Sequence, residues 1–256
     1  MDNLWFRCFG PPAESDAVRL VCFPHAGGSA SAYAPLARLL TPRVEVRAVQ
    51  YPGRQDRRRE TPAGDITELA GRIAERLRDP EGRPYALFGH SMGALLAYET
   101  ARVLRSWDVQ APVRLFLSGR GAPSPVPPRS DLLPDDAAIL AAVRSLGGTG
   151  AAVLDDPEMV EMALPALRAD YRALAAYSWR GGDPLDVPVT VLNGRDDPVV
   201  TAEDAARWAE HTSSTFEVKE FPGNHFYLDQ RAAEVAGVLT DGLRQAAGTV
   251  GDRLRP

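Results

Sequence analysis

Gly89-His90-Ser91-Met92-Gly93 sets a serine midway between two glycines. A serine hydroxyl attacks a carbonyl only when a base takes its proton, and only from a turn sharp enough to present Oγ. The glycine-x-serine-x-glycine pattern alone is weak, so its flanks decide. The apolar run Tyr85-Ala86-Leu87-Phe88 precedes it and a helical stretch begins at Met92, giving the strand, tight turn and helix that the chemistry needs. Such a turn holds Ser91 at a helix N-terminus, where free N–H groups and the helix dipole favour developing negative charge. The competing reading is an ordinary glycine-rich connection.

A base and an acid to orient it must lie elsewhere in the chain. Of four histidines, His90 is locked beside the serine, His211 ends a polar helical stretch, and His25 opens the glycine-rich piece Ala26-Gly27-Gly28. His225 is the remaining candidate. It follows the run 216–221 and the turn Pro222-Gly223-Asn224, which places it at the carboxyl end of a late strand, where ligand and catalytic groups gather in open α/β sheets. The acid comes from Gly194-Arg195-Asp196-Asp197-Pro198, where either aspartate is within reach; the end of the preceding strand, Ser118-Gly119-Arg120, offers no carboxylate. A tetrahedral oxyanion needs two N–H donors. Met92 supplies one, and the loop Phe23-Pro24-His25-Ala26-Gly27-Gly28 supplies the other from Ala26, with a simple glycine turn as the competing reading.

These groups meet only if alternating strands and helices bring them to one sheet edge. Strands are expected at 19–23, 44–50, 85–89, 113–118, 187–193 and 215–221, and helices near 31–40, 65–78, 92–105, 202–211 and 229–247. That succession predicts a largely parallel sheet with helices on its faces. The stretch from Gly119 to about Asp186 is far longer than an ordinary connection and reads as an insertion. It opens with the extended spacer Ala122-Pro123-Ser124-Pro125-Val126-Pro127-Pro128, followed by helices at 135–146 and 157–177, the second kinked or restarted at Pro165. Met159, Met162, Leu164, Leu167, Tyr171 and Leu174 give this second helix more apolar surface than solvent tolerates. A lid over a pocket accounts for that surface, and so does a packed helical appendage.

The chain has 256 residues, 45% apolar and 25% charged, with a net charge of -5. A single globular domain over 1–256, with the insertion at about 121–184, is the expected organisation. The acidic balance argues against a general nucleic-acid binder. The N-terminal residues carry no basic leader, and no apolar run is long enough to span a bilayer, so a soluble cytoplasmic monomer is expected. Cys8 and Cys22 form no disulfide framework and no metal-ligand spacing; both read as reduced thiols.

Six segments together are more specific than the serine motif: 23–28, Gln50-Tyr51-Pro52-Gly53-Arg54, 88–94, Leu117-Ser118-Gly119-Arg120, 194–198 and Phe221-Pro222-Gly223-Asn224-His225-Phe226. They resemble the stand-alone type II thioesterases that accompany modular polyketide synthases and nonribosomal peptide synthetases. The resemblance implies the α/β-hydrolase fold, a mostly parallel central sheet with helices on both faces and a helical lid insertion. It implies a Ser91, Asp197, His225 triad, preferring Asp197 over Asp196. It also implies hydrolytic release of stalled or aberrant acyl groups from the phosphopantetheine arm of acyl or peptidyl carrier proteins, with no cofactor or metal of the chain's own. Met159, Met162 and Tyr171 become substrate-facing lid candidates. Arg54, Arg57 and Arg58 become candidates for steering an acidic carrier protein, against the alternative of a solvated face. Asn224 stands where the family commonly has glycine, and Gly121 where a second basic residue is frequent. A small-ester hydrolase of the same fold and a catalytically silent binding protein are the rival functions.

Overall fold

A computed structural model describes residues 4–14, 17–78, 83–147 and 154–253. Seven strands form one sheet: β1 (Phe6–Arg7), β2 (Val18–Phe23), β3 (Val44–Val49), β4 (Tyr85–His90), β5 (Leu115–Ser118), β6 (Val189–Gly194) and β7 (Phe216–Phe221). Their order is β1-β3-β2-β4-β5-β6-β7, with β1 antiparallel to β3 and every other pair parallel. The six strands expected from the sequence are present, with ends shifted by one or two residues. β1 was not expected, since two residues carry no readable period.

Among the described residues, eight α-helices accompany the strands: α1 (Ala34–Leu40), α2 (Ile66–Leu77), α3 (Met92–Ser106), α4 (Asp136–Leu146), α5 (Pro157–Ala176), α6 (Ala202–Ala206), α7 (Tyr227–Gln230) and α8 (Ala232–Arg253). Their starts are written in the sequence. Asp65 accepts the Glu68 N–H at 2.8 Å, Asp135 accepts the Ala138 N–H at 2.8 Å, and Thr201 with Asp204 forms a capping box. The helix expected over 229–247 is preceded by the separate short turn α7, and α5 runs through Pro165 as one element without restarting.

The central strands are buried on both faces, as parallel strands between helix layers must be. Alternate residues divide between two cores: Tyr85 and Leu87 of β4 join α2 and α3, whereas Ala86 and Phe88 join α1 and α8. At the far end, β7 is an edge strand whose Val218, Lys219 and Glu220 are exposed. The 70 residues between β5 and β6 hold a 3-10 turn (Arg129–Asp131), α4 and α5.

One contact fixes how α3 leaves the sheet. A Cβ at Gly93 would overlap the Phe23 carbonyl oxygen, and a Cβ at Gly89 would overlap the Gly93 carbonyl. Both glycines are needed for close approach. Gly93→Ala is expected to lower the unfolding free energy by about 1–3 kcal/mol, read from urea titration; an unchanged midpoint would show that α3 can move off the sheet.

Candidate active site

Ser91 sits between β4 and α3 with φ 56° and ψ -120°, a strained conformation for a residue with a side chain. Its backbone N–H donates to the Ser118 carbonyl at 2.8 Å, which ties the turn to β5. Met92 is the first residue of α3, so its N–H has no acceptor in a preceding helical turn.

His225 follows β7, and its Nδ1 lies 2.8 Å from Asp197 Oδ2 in the loop after β6. Both side chains are buried; the second carboxylate oxygen of Asp197 accepts the Val199 N–H at 2.9 Å. The aspartate that meets the imidazole is therefore Asp197. Asp196 is exposed and uses its backbone N–H to bond the Gly223 carbonyl at 3.0 Å.

Ser91, His225 and Ala26 together line two adjoining cavities of about 320 and 370 Å³. The first is walled by the proline-rich spacer and by Arg120, Asp131 and Arg207. The second is walled by α4, α5 and the loop after β2. Tyr171 lines both, and Ala163 and Leu167 extend the apolar wall of the second at helical spacing. Met159 and Met162 lie elsewhere: they are 41% and 66% exposed and line neither cavity. The inward face of α5 is carried instead by residues 163, 167, 171 and 174, a spacing of four, four and three.

The arginine expectation is also corrected. Arg54 and Arg57 are each 4% exposed and face inward, so neither can meet a partner's surface. The Arg54 guanidinium pairs with Asp170, donates to the Pro52 carbonyl at 2.7 Å and lies over the Tyr51 ring. Arg57 stacks on Trp5, donates to the Gln50 carbonyl at 2.8 Å and pairs with Glu60. A guanidinium is buried readily when it has such partners, which a run of arginines does not reveal. Arg58 is exposed.

The loop carrying Ala26 is braced from several sides. Tyr33 and Tyr51 donate to the Phe23 and Pro24 carbonyls at 2.6 and 3.1 Å, and Gly27, with φ +73°, donates its N–H to Asp170 Oδ2 at 2.7 Å. Asp170 is 2% exposed; burial pushes its carboxyl up, while Arg54 and the Gly27 N–H pull it back. Sequence reasoning passed over this residue. Its signal was a lone acid on the buried stripe of α5, three positions after Leu167 and four before Leu174. Behind His225, the His90 ring bonds Ser118 Oγ at 2.9 Å, which meets the Tyr227 hydroxyl at 2.6 Å. Asn224 accepts the Phe226 N–H at 3.1 Å and sets its amide against Gly147 at the end of α4. At Gly121, a Cβ would stand 3.0 Å from Asp204 Cβ, so a longer side chain there needs Asp204 to shift.

Burial, with the neighbouring His225 as a smaller cause, lowers His25 to about 4 and His90 well below its ordinary value. Both stay neutral in the folded protein while the unfolded chain takes up protons near pH 6.5. Their contribution is therefore fully favourable above about pH 6.5 and is lost as the pH falls toward 4. The unfolding free energy should drop over that window, and His25→Gln should flatten the slope by up to about 1.4 kcal/mol per pH unit. Identical slopes for the two proteins would place the titration elsewhere.

A mostly parallel sheet with a strained serine between strand and helix, and an imidazole held by a carboxylate after the last two strands, defines the α/β-hydrolase class. Comparison with known proteins narrows the class. Residues 18–242 match the family described as "Thioesterase domain", and the chain belongs to that family. It is a thioester hydrolase. It is 48% identical over 239 residues to the "Probable cadicidin biosynthesis thioesterase" of Streptomyces griseus, covering 93% of this chain and 66% of that protein, just under two thirds of its length. It is 44% identical over 248 residues to "Thioesterase PikA5" of Streptomyces venezuelae, covering 96% of this chain and 88% of that protein. Among solved structures, the type II thioesterase BorB from the borrelidin biosynthetic cluster superposes with a TM-score of 0.86 at 45% identity, over 95% of this chain and 99% of that chain. Among the described residues no helix is long and apolar enough to cross a membrane, and no group of three or more metal-ligating side chains occurs.

Proposed function

We propose that the chain removes acyl groups from the phosphopantetheine arm of acyl or peptidyl carrier proteins during polyketide or nonribosomal peptide synthesis. The observation that carries the chemistry is the 2.8 Å contact of His225 with Asp197 beside a cavity that Ser91 and His225 share. His225 accepts the Ser91 proton, and Ser91 Oγ bonds to the thioester carbonyl carbon. The N–H groups of Ala26 and Met92 hold the oxyanion. Collapse of the tetrahedral adduct breaks the carbon–sulfur bond, the imidazolium of His225 returns its proton to the departing sulfur, and the thiol, whose pKa is about 8.5, leaves with less help than an amine requires. Water then gives a proton to His225 and attacks the acyl-serine; as the second adduct collapses, His225 hands that proton to Ser91 Oγ, which releases the acid and restores the hydroxyl. Asp197 fixes the imidazole tautomer throughout.

The segment 121–184, within one domain over 1–256, acts as the lid, since α4 and α5 wall the cavities. Tyr171 is its substrate-facing residue at the serine. Arg58 is the docking candidate that keeps a free approach from solvent. The names of the biosynthetic relatives support the carrier-bound substrate.

A panel of acyl-loaded carrier proteins, weighed by mass spectrometry before and after incubation, tests the assignment. Loss of the acyl mass from carriers is expected, with matched oxoesters turned over more slowly. Intact carriers alongside rapid small-oxoester hydrolysis would make the chain a small-ester hydrolase.

A further inference from the structure

Asp170 lies in the insertion, yet its carboxylate is spent on the loop that carries Ala26. Its Oδ2 accepts the Gly27 N–H at 2.7 Å and pairs with the Arg54 guanidinium, and both partners come from segments far away in the chain. Asp170 and Arg54 are 2% and 4% exposed. Three residues earlier, about one helical turn away, Leu167 fills the space beside Gly27 so closely that a Cβ at Gly27 would overlap it. The left-handed backbone of Gly27 and the direction of the preceding peptide groups are thus set by two side chains of one helix, Leu167 and Asp170.

We propose that Asp170 is a positioning residue for the oxyanion site: by holding the Gly27 N–H, it aims the neighbouring Ala26 N–H, so the site is complete only while α5 is seated. This rests on the Ser91 and Ala26 reading above. The physical reason is that a donor stabilises an oxyanion only within a narrow distance and direction, and a displacement of about 1 Å costs about a hundredfold in rate. Arg54 holds the carboxylate charged and oriented, which a buried acid otherwise resists. Seating of α5 therefore reports to the reacting carbonyl through one carboxylate, and a substrate that fails to seat the helix meets a weakened oxyanion site.

Two ligands separate this role from simple structural support. A boronic acid forms a tetrahedral adduct with Ser91 and needs the oxyanion donors; a thioether analogue of the acyl arm fills the cavities without needing them. For Asp170→Ala, boronate affinity should fall about tenfold to a hundredfold while thioether affinity changes less than about threefold, and kcat should fall far more than KM rises. Asp170→Asn keeps an oxygen for the Gly27 N–H and should show an intermediate loss. Equal weakening of both ligands, or an unchanged ratio, overturns the proposal. If Asp170→Ala does not fold, Asp170→Asn decides, and its ratio must fall at least severalfold. The wild-type protein is the control for the underlying reading: failure to bind the boronate there would remove the oxyanion site itself, whereas a tight wild-type complex with an undisturbed Asp170→Asn ratio removes only the role of Asp170.

Discussion

Ser91→Ala is expected to reduce hydrolysis of an acyl-pantetheine thioester by about 10⁴- to 10⁶-fold, with residual turnover set by binding and by the oxyanion donors. The fold should survive, because the strained turn is held by the Ser91 N–H on the Ser118 carbonyl and by the glycines around it, none of which needs Oγ. The check is single-turnover mass spectrometry: the wild type should carry a transient acyl adduct on the peptide containing Ser91, and the variant none. An adduct of equal yield in the variant would move the nucleophile to another residue.

The second large effect falls on the orienting acid. Asp197→Asn should lower kcat by about 10⁴-fold, since an amide facing Nδ1 favours the tautomer that leaves Nε2 protonated and unable to take the serine proton. Asp196→Asn, one residue away but exposed, should stay within about threefold of wild type. Assaying the two side by side uses the geometry directly, because Asp197, and not Asp196, is hydrogen-bonded to the imidazole. Comparable losses from both substitutions would mean that the 2.8 Å contact is not the catalytic one.

The framework was readable in the chain because β2, β4, β5 and β6 are short, mostly apolar runs and β3 alternates apolar with polar residues, all separated by helical periods, and because caps such as Asp65 and Asp135 mark where helices begin. Position after expected strands made Ser91 and His225 candidates but left Asp196 and Asp197 both open; the family resemblance favoured Asp197, and it is Asp197 that lies 2.8 Å from the His225 ring. The arginines failed for a different reason. Arg54 and Arg57 find their partners, Asp170 and Trp5, through the tertiary fold, and a local run of charge carries no information about distant partners. Met159 and Met162 failed because a count of apolar residues does not say which side of a helix they occupy; the spacing of 163, 167, 171 and 174 does. β1 was too short to have a pattern at all.

The terminal strand β7 has a bearing on self-association. An unpaired strand is a template for another chain, and such edges stay solitary when their side chains resist dehydration. Lining up two antiparallel copies along Phe216–Phe221 would set Glu217 of each against Glu220 of the other. The sheet thus ends in a charged hem, a row of side chains that opposes its extension by a further strand.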